Sequence, residues 1–136
     1  MLASFLRFLL LSFFAPNCDK YPKCGVYNLA KFYVSYPGAR CVKVFDKRGV
    51  FLHDIGCEGS NDGQFNYPVG LVIDKYNQQV VCDVKNGRLQ FFNLKGKFLS
   101  KLRDECFNEE LPLHVSIDNK DNCLLVADLR NIHIFH

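Results

Sequence analysis

Tryptophan is absent, methionine occurs once, and charge of either sign is scarcely in excess: seventeen Lys and Arg against fourteen Asp and Glu leave a formal +3. So small a surplus does not make nucleic-acid binding a default inference from charge. No Cys-x-x-Cys occurs among Cys18, Cys24, Cys41, Cys57, Cys82, Cys106 and Cys123, which disfavours a zinc ribbon or finger, and seven thiols cannot all pair within one chain. There is no Gly-x-Ser-x-Gly elbow, phosphate loop or dinucleotide fingerprint. No stretch of ten or more residues after Cys18 keeps a helical 3.6 period, so crossover helices and a parallel sheet are not expected. A membrane helix needs roughly 20 apolar residues. The run from Met1 to Phe14, interrupted only by Ser4, Arg7 and Ser12, meets Pro16, Asn17, Cys18, Asp19 and Lys20 before that length. As a secretory signal it is imperfect, with Arg7 inside the apolar stretch and Ala15 followed by Pro16. Residues 1–20 therefore read as an apolar leader, either signal-like or an atypical start.

What is present is a globular composition, 49% hydrophobic and 23% charged over 136 residues, with thirteen Phe and six Tyr that suit a sheet-rich core. The remainder of the chain repeats. Asp74 and Asp118 lie 44 residues apart, as do Pro68 and Pro112, while Asp83 and Asp128 are 45 apart and Phe92 and Phe135 are 43 apart. An earlier, degenerate copy puts Tyr36 and Phe45 nine residues apart, the same step as Asp83 to Phe92. The repeats run over about 21–56, 57–102 and 103–136. Within the central copy, short runs such as Val69–Asp74, Gln79–Cys82, Arg88–Phe92 and Lys97–Leu102 alternate with turns rich in Gly, Asn and Lys. Four antiparallel strands recurring every forty-odd residues predict an all-β fold, an incomplete β-propeller of about two to three four-stranded blades.

Physical roles follow for the recurring residues. Gly63 and Gly70 permit close backbone approach, Pro68 fixes φ ahead of the first strand, and Phe65 supplies apolar cover. Asp74 and Asp83 end strands, where a carboxylate accepts N–H groups of the following turn. Arg88, five residues after Asp83, reaches back to it as a charge-assisted pair. Repeated positions of this kind are read as structural, Asn86, Phe92, Pro112, Asp118, Asp128 and Phe135 included. Cys82 and Cys123 fall inside strands and read as small core residues.

The central stretch from Gly59 to Asp74, with Gln64-Phe65, Pro68 and Gly70, followed by Asp83 and Asn86-Gly87-Arg88 and closed by Phe91-Phe92, resembles the NHL repeat. Its wording is most similar to the tripartite-motif class, whose full chains carry a RING finger, B-boxes and a coiled coil before a six-bladed propeller. The resemblance implies recognition of RNA or of protein partners by the propeller, and ubiquitin transfer by a RING that these residues do not contain. Departures are local: Tyr36 and Cys41 stand where aspartate and arginine are expected, Glu109-Glu110-Leu111 replaces Gly-Gln-Phe, and Asn131 takes the arginine position of a shortened loop. Some propellers of this type are zinc-dependent lyases with convergent histidines, whereas His53, His114, His133 and His136 fall at unrelated repeat positions.

No catalytic residue, metal set, cofactor or small-molecule substrate is expected. Binding is assigned to a basic loop face made of Lys47, Arg48, Lys85, Arg88, Lys95 and Lys97, which repetition would array together. The expected partners are protein or RNA, with self-association or missing propeller blades as further partners because three copies do not close a ring. The expected compartment is the cytoplasm, and the secretory route is the alternative that the apolar start leaves.

Overall fold

Alternation between Gly- and Asn-bearing turns builds strands, each reversing on its predecessor. The computed structural model describes residues 22–136, and the leader read at 1–20 lies outside them. The strands are β1 (Cys24–Asn28), β2 (Lys31–Tyr36), β3 (Cys41–Asp46), β4 (Phe51–Ile55), β5 (Pro68–Ile73), β6 (Gln79–Asp83), β7 (Arg88–Phe92), β8 (Phe98–Leu102), β9 (His114–Asp118), β10 (Cys123–Ala127) and β11 (Ile132–Phe135). They form three antiparallel sheets in the orders β1-β2-β3-β4, β5-β6-β7-β8 and β11-β10-β9. The expected four strands are thus met in the first two sheets. The third has three among the described residues, because β11 runs to Phe135 and only His136 follows. One helical turn, α1 (Cys106–Glu109), precedes β9.

The first copy, degenerate in sequence, is a complete sheet. Tyr36 and Cys41 pair across β2 and β3 through the backbone, so loss of the Asp and Arg side chains does not cost the ladder. Its irregularity between Val44 and Phe45 recurs between Phe91 and Phe92 in the second sheet. The bulge re-aims the strand, so that Phe45 faces Phe51 and Phe92 faces Phe98 edge-on at 5.9 and 6.1 Å.

Sheets stand side by side in chain order, β1 packing on β5 and β5 on β9. Tyr33, Val42, Val44 and Ile55 meet Phe65, Leu71, Val81 and Phe92 in the first interface. Val80, Cys82, Val84 and Leu89 meet Phe107, Val115 and Val126 in the second. At roughly 1.5–3 kcal/mol per fully buried large apolar side chain, these interfaces carry the association of the sheets. A third cluster, Phe32, Val34, Tyr36, Cys41 and Phe45, is buried on the other face of the first sheet. Gly70 meets the close-approach expectation: a Cβ there would sit 2.8 Å from the Leu113 carbonyl and 2.9 Å from the Cys82 sulfur, so only hydrogen lets β5 reach β9.

Strand alternation gives the sheets two ends. The lower end gathers the β1–β2, β3–β4, β5–β6, β7–β8 and β9–β10 reversals. The upper end gathers the β2–β3, β6–β7 and β10–β11 loops with the longer connections 56–67 and 103–113. No helix among the described residues is long and apolar enough to cross a membrane.

Candidate functional site

At the upper end the second sheet holds a buried polar knot centred on Asp83. Its Oδ1 accepts the Asn66 N–H at 2.7 Å, and its Oδ2 accepts Asn86 Nδ2 and Arg88 Nε, each at 2.8 Å, and Gln90 Nε2 at 3.1 Å. Arg88 Nη2 then donates to the carbonyls of Asn61 and Gln64, both at 2.9 Å, while the Gln90 amide spans Gly63 N–H and Gln64 O. The expected Asp83–Arg88 pair is therefore present. The partners of Asp83 differ from expectation, however, because a 3₁₀ turn over Val84–Asn86 starts directly after it and leaves its side chain no cap to make. The carboxylate turns inward and ties the connection 56–67 to the blade.

That knot corrects the assignment of Arg88 to a binding face. Arg88 and Asp83 are both 0% exposed, so the guanidinium is committed to protein oxygens. Lys85 is exposed but lies at the upper end, with its Nζ 4.8 Å from the Tyr67 ring centroid, whereas Lys47, Arg48, Lys95 and Lys97 lie at the lower end. The expected common face therefore splits, because β6–β7 and β7–β8 loops sit at opposite ends of the same strands.

The third sheet rebuilds the knot with other chemistry. Gln90 pairs with Val81, and His133 pairs with Val126, so His133 occupies the register position of Gln90. His133 Nε2 lies 2.6 Å from Asp128 Oδ2, and Asp128 Oδ1 accepts the N–H groups of Arg130 and Asn131 at 2.7 and 2.6 Å. Asn131 thus serves through its backbone where Arg88 serves through its side chain. The hydrogen bond from His133, with those of the loop, pushes the Asp128 carboxyl down to about 2. In the first sheet Lys43 holds the same register position, 5.7 Å from the Tyr36 ring and 2.8 Å from Asp54. Three residues of the third strand in each sheet, Lys43, Gln90 and His133, therefore reach the residue that closes the second. Sequence comparison missed all three, and it read the histidine as unrelated to the repeat, because their chemistry differs while only their register agrees.

The lower end is built from loops that satisfy themselves. Asp74 Oδ1 accepts the N–H groups of Tyr76 and Gln78, both at 2.8 Å, as expected for a strand-ending carboxylate. Asp46 does the same for Arg48 and Val50, and Asn93 for Lys95 and Lys97, at 2.8–3.0 Å; Asp118 binds Lys120 N–H. Val50 and Arg48 N–H bonds hold the Asp46 carboxyl below the usual range. Turning these carboxylates onto backbone leaves Lys47, Arg48, Lys75, Lys95, Lys97 and Lys120 exposed, and none enters an ion pair among the described residues. Upper-end cations are instead paired: Arg40 with Glu58, Lys101 with Asp62 at 2.6 Å, and Arg130 with Glu110 at 3.0 Å.

His53, His114, His133 and His136 do not converge, and no group of three or more His, Cys, Asp or Glu among the described residues is placed to hold a metal. Cys82 is fully buried and its thiol is pushed up by that burial, while Cys123 is 7% exposed.

No protein-family model matches the chain. It is 43% identical over 54 residues to E3 ubiquitin-protein ligase TRIM32 of Mus musculus, a match covering 40% of this chain and 8% of that protein. It is 41% identical over 46 residues to Protein lin-41 of Caenorhabditis elegans, covering 34% of this chain and 4% of that protein. Both relatives contain NHL repeats. Among solved structures, the streptogramin B lyase superposes with a TM-score of 0.67 over 88% of this chain and 38% of that one, at 16% identity. The WD40 propeller of Doa1 gives 0.66 over 90% of this chain and 39% of that one, at 13% identity. The chain is a partial β-propeller of NHL type. Its sheets are blades one to three of that architecture, and it spans less than a tenth of its curated relatives and less than half of either propeller chain.

Proposed function

We propose that this NHL-type segment is a recognition module that catalyses nothing and binds RNA across its lower end. The observation that carries the proposal is the set of six cations on recurring loops whose carboxylates are consumed by backbone amides. A rim of uncompensated Lys and Arg attracts phosphates and releases their counterions. Tyr76, 64% exposed with Lys75 Nζ 5.2 Å from its ring centroid, adds a surface on which an unpaired base stacks. In a longer protein of the tripartite-motif kind, this blade group would choose what a ubiquitin ligase is brought to, in the cytoplasm.

A protein partner is the second reading, favoured by Val50, Phe51 and Leu52, which are 53, 50 and 43% exposed beside the basic loop of the first blade. An acidic segment with apolar residues would suit that neighbourhood. Filter binding of a single-stranded and a stem-loop RNA over about 50 to 300 mM salt separates the two. RNA binding predicts a log–log slope of about −0.7 for each phosphate contacted on the single strand. A flat slope removes RNA, and saturable capture of an acidic peptide under the same conditions supports the protein reading.

A further inference from the structure

The first two blades show what the edge of a third strand is built to receive. Val42 of β3 faces Ile55 of β4 and Phe45 faces Phe51; Leu89 of β7 faces Leu102 of β8 and Phe92 faces Phe98. In both, the fourth strand presents an aromatic residue and, four residues later, a branched aliphatic one. By pairing through β10, Ile132 of β11 stands at the register of Leu89 and Phe135 at that of Phe92. The outer side of β11 has no strand on it among the described residues, and Ile132 and Ile134 are 68 and 58% exposed.

Beside this edge lies a cavity of about 490 Å³, lined by Val80, Phe91 and Leu102 of the second blade and by Ile117, Leu124 and Phe135 of the third. The equivalent space between the first and second blades is filled: Phe98 and Leu94 pack against the Tyr33, Val44 and Ile55 cluster, and Gly96 lies so close to Ile55 that a Cβ would meet it at 2.8 Å. The cavity is therefore the place of a fourth strand and its preceding loop.

We propose that β11 and this cavity form a strand-docking site for an extended peptide segment carrying an aromatic residue and, four residues on, a branched aliphatic one, laid antiparallel to β11 as β4 lies on β3 and β8 on β7. Backbone hydrogen bonds to the open edge supply affinity, and side-chain pockets supply selection. The segment's aromatic ring enters the cavity against Phe135, repeating the edge-on Phe45–Phe51 and Phe92–Phe98 contacts. Its aliphatic residue covers Ile132. The site lies at the outer edge of blade three, apart from the lysines of the lower loops, so its test is independent of the RNA proposal.

The probe is a fluorescein-labelled synthetic peptide with the sequence of residues 93–102, read by anisotropy against the full chain. Saturable binding is expected, weakened at least tenfold by Phe98→Asp within the peptide and by a scrambled peptide of the same composition. Ile132→Asp in the protein, at a position already in solvent, is expected to weaken binding comparably, and amide exchange over 132–135 is expected to slow when peptide is added. Equal binding of the Phe98→Asp peptide, or unchanged exchange in β11, overturns the proposal. So does sedimentation showing a dimer joined through β11 that the peptide does not dissolve, since a second copy would then own the edge.

Discussion

The two ends of the sheets use the same residue types to opposite purposes. At the upper end, Asp83 is buried and takes four donors from three separate segments, so that a carboxylate far from its partners in sequence holds a long connection in place. At the lower end Asp46, Asp74 and Asp118 serve only residues two to four positions ahead. The upper end spends its cations on carboxylates and carbonyls, and the lower end leaves them to solvent. The lesson is that an aspartate at a strand end is structural at both ends, but only where it satisfies itself locally does the neighbouring lysine remain available for a partner.

Arg88→Ala breaks the comparison hardest. It leaves Asp83 charged, buried and short of its main counter-ion, and loss of about 3–5 kcal/mol is expected from urea unfolding. A loss below about 1 kcal/mol would show that the knot is not what anchors residues 56–67. Gly70→Ala, between the two ends, forces a methyl group against the Leu113 carbonyl and the Cys82 sulfur; about 1–3 kcal/mol should disappear in the same titration. No loss there would mean that the second and third blades are looser than their contact implies.

A gentler probe acts on the upper end of the third blade alone. The Asp128 carboxyl is more acidic folded than unfolded, because His133 and the loop amides favour its anion. Its stabilising contribution is therefore complete above the ordinary carboxylate value near ~4 and is lost as pH falls through about 2. Carboxyl-carbon NMR should place the Asp128 midpoint at about 2 and move it upward in His133→Ala. An unmoved midpoint would dissociate the histidine from the latch. The smallest effect on stability belongs to the lower end: Lys47→Glu combined with Lys95→Glu should stay within about 0.5 kcal/mol of the parent, since neither side chain enters an ion pair.

Local chemistry made much of this legible from residues alone. Gly70, Asp74, the Asp83–Arg88 pair and the spacing of Phe45 and Phe92 each work through near neighbours or a fixed repeat, and the strand alternation carries the antiparallel sheets. What escaped depended on register across strands. Gln90 and His133 look unrelated until β6–β7 and β10–β11 pairing sets them at one position. The assignment of Lys85 and Arg88 to a face with Lys47 and Lys95 failed for a related reason. Proximity in sequence does not say which end of a strand a loop occupies, nor that a basic residue beside an exposed lysine is itself fully buried.

The claim that the lower loops are the recognition surface is tested most directly by amide NMR mapping during titration with a mixed-sequence single-stranded RNA. Shifts concentrated at 46–50, 74–78 and 93–97, and erased by the Lys47→Glu, Lys95→Glu protein, are the predicted result. Shifts confined to 56–67, 84–87 and 103–113, or none at saturating RNA, would contradict it.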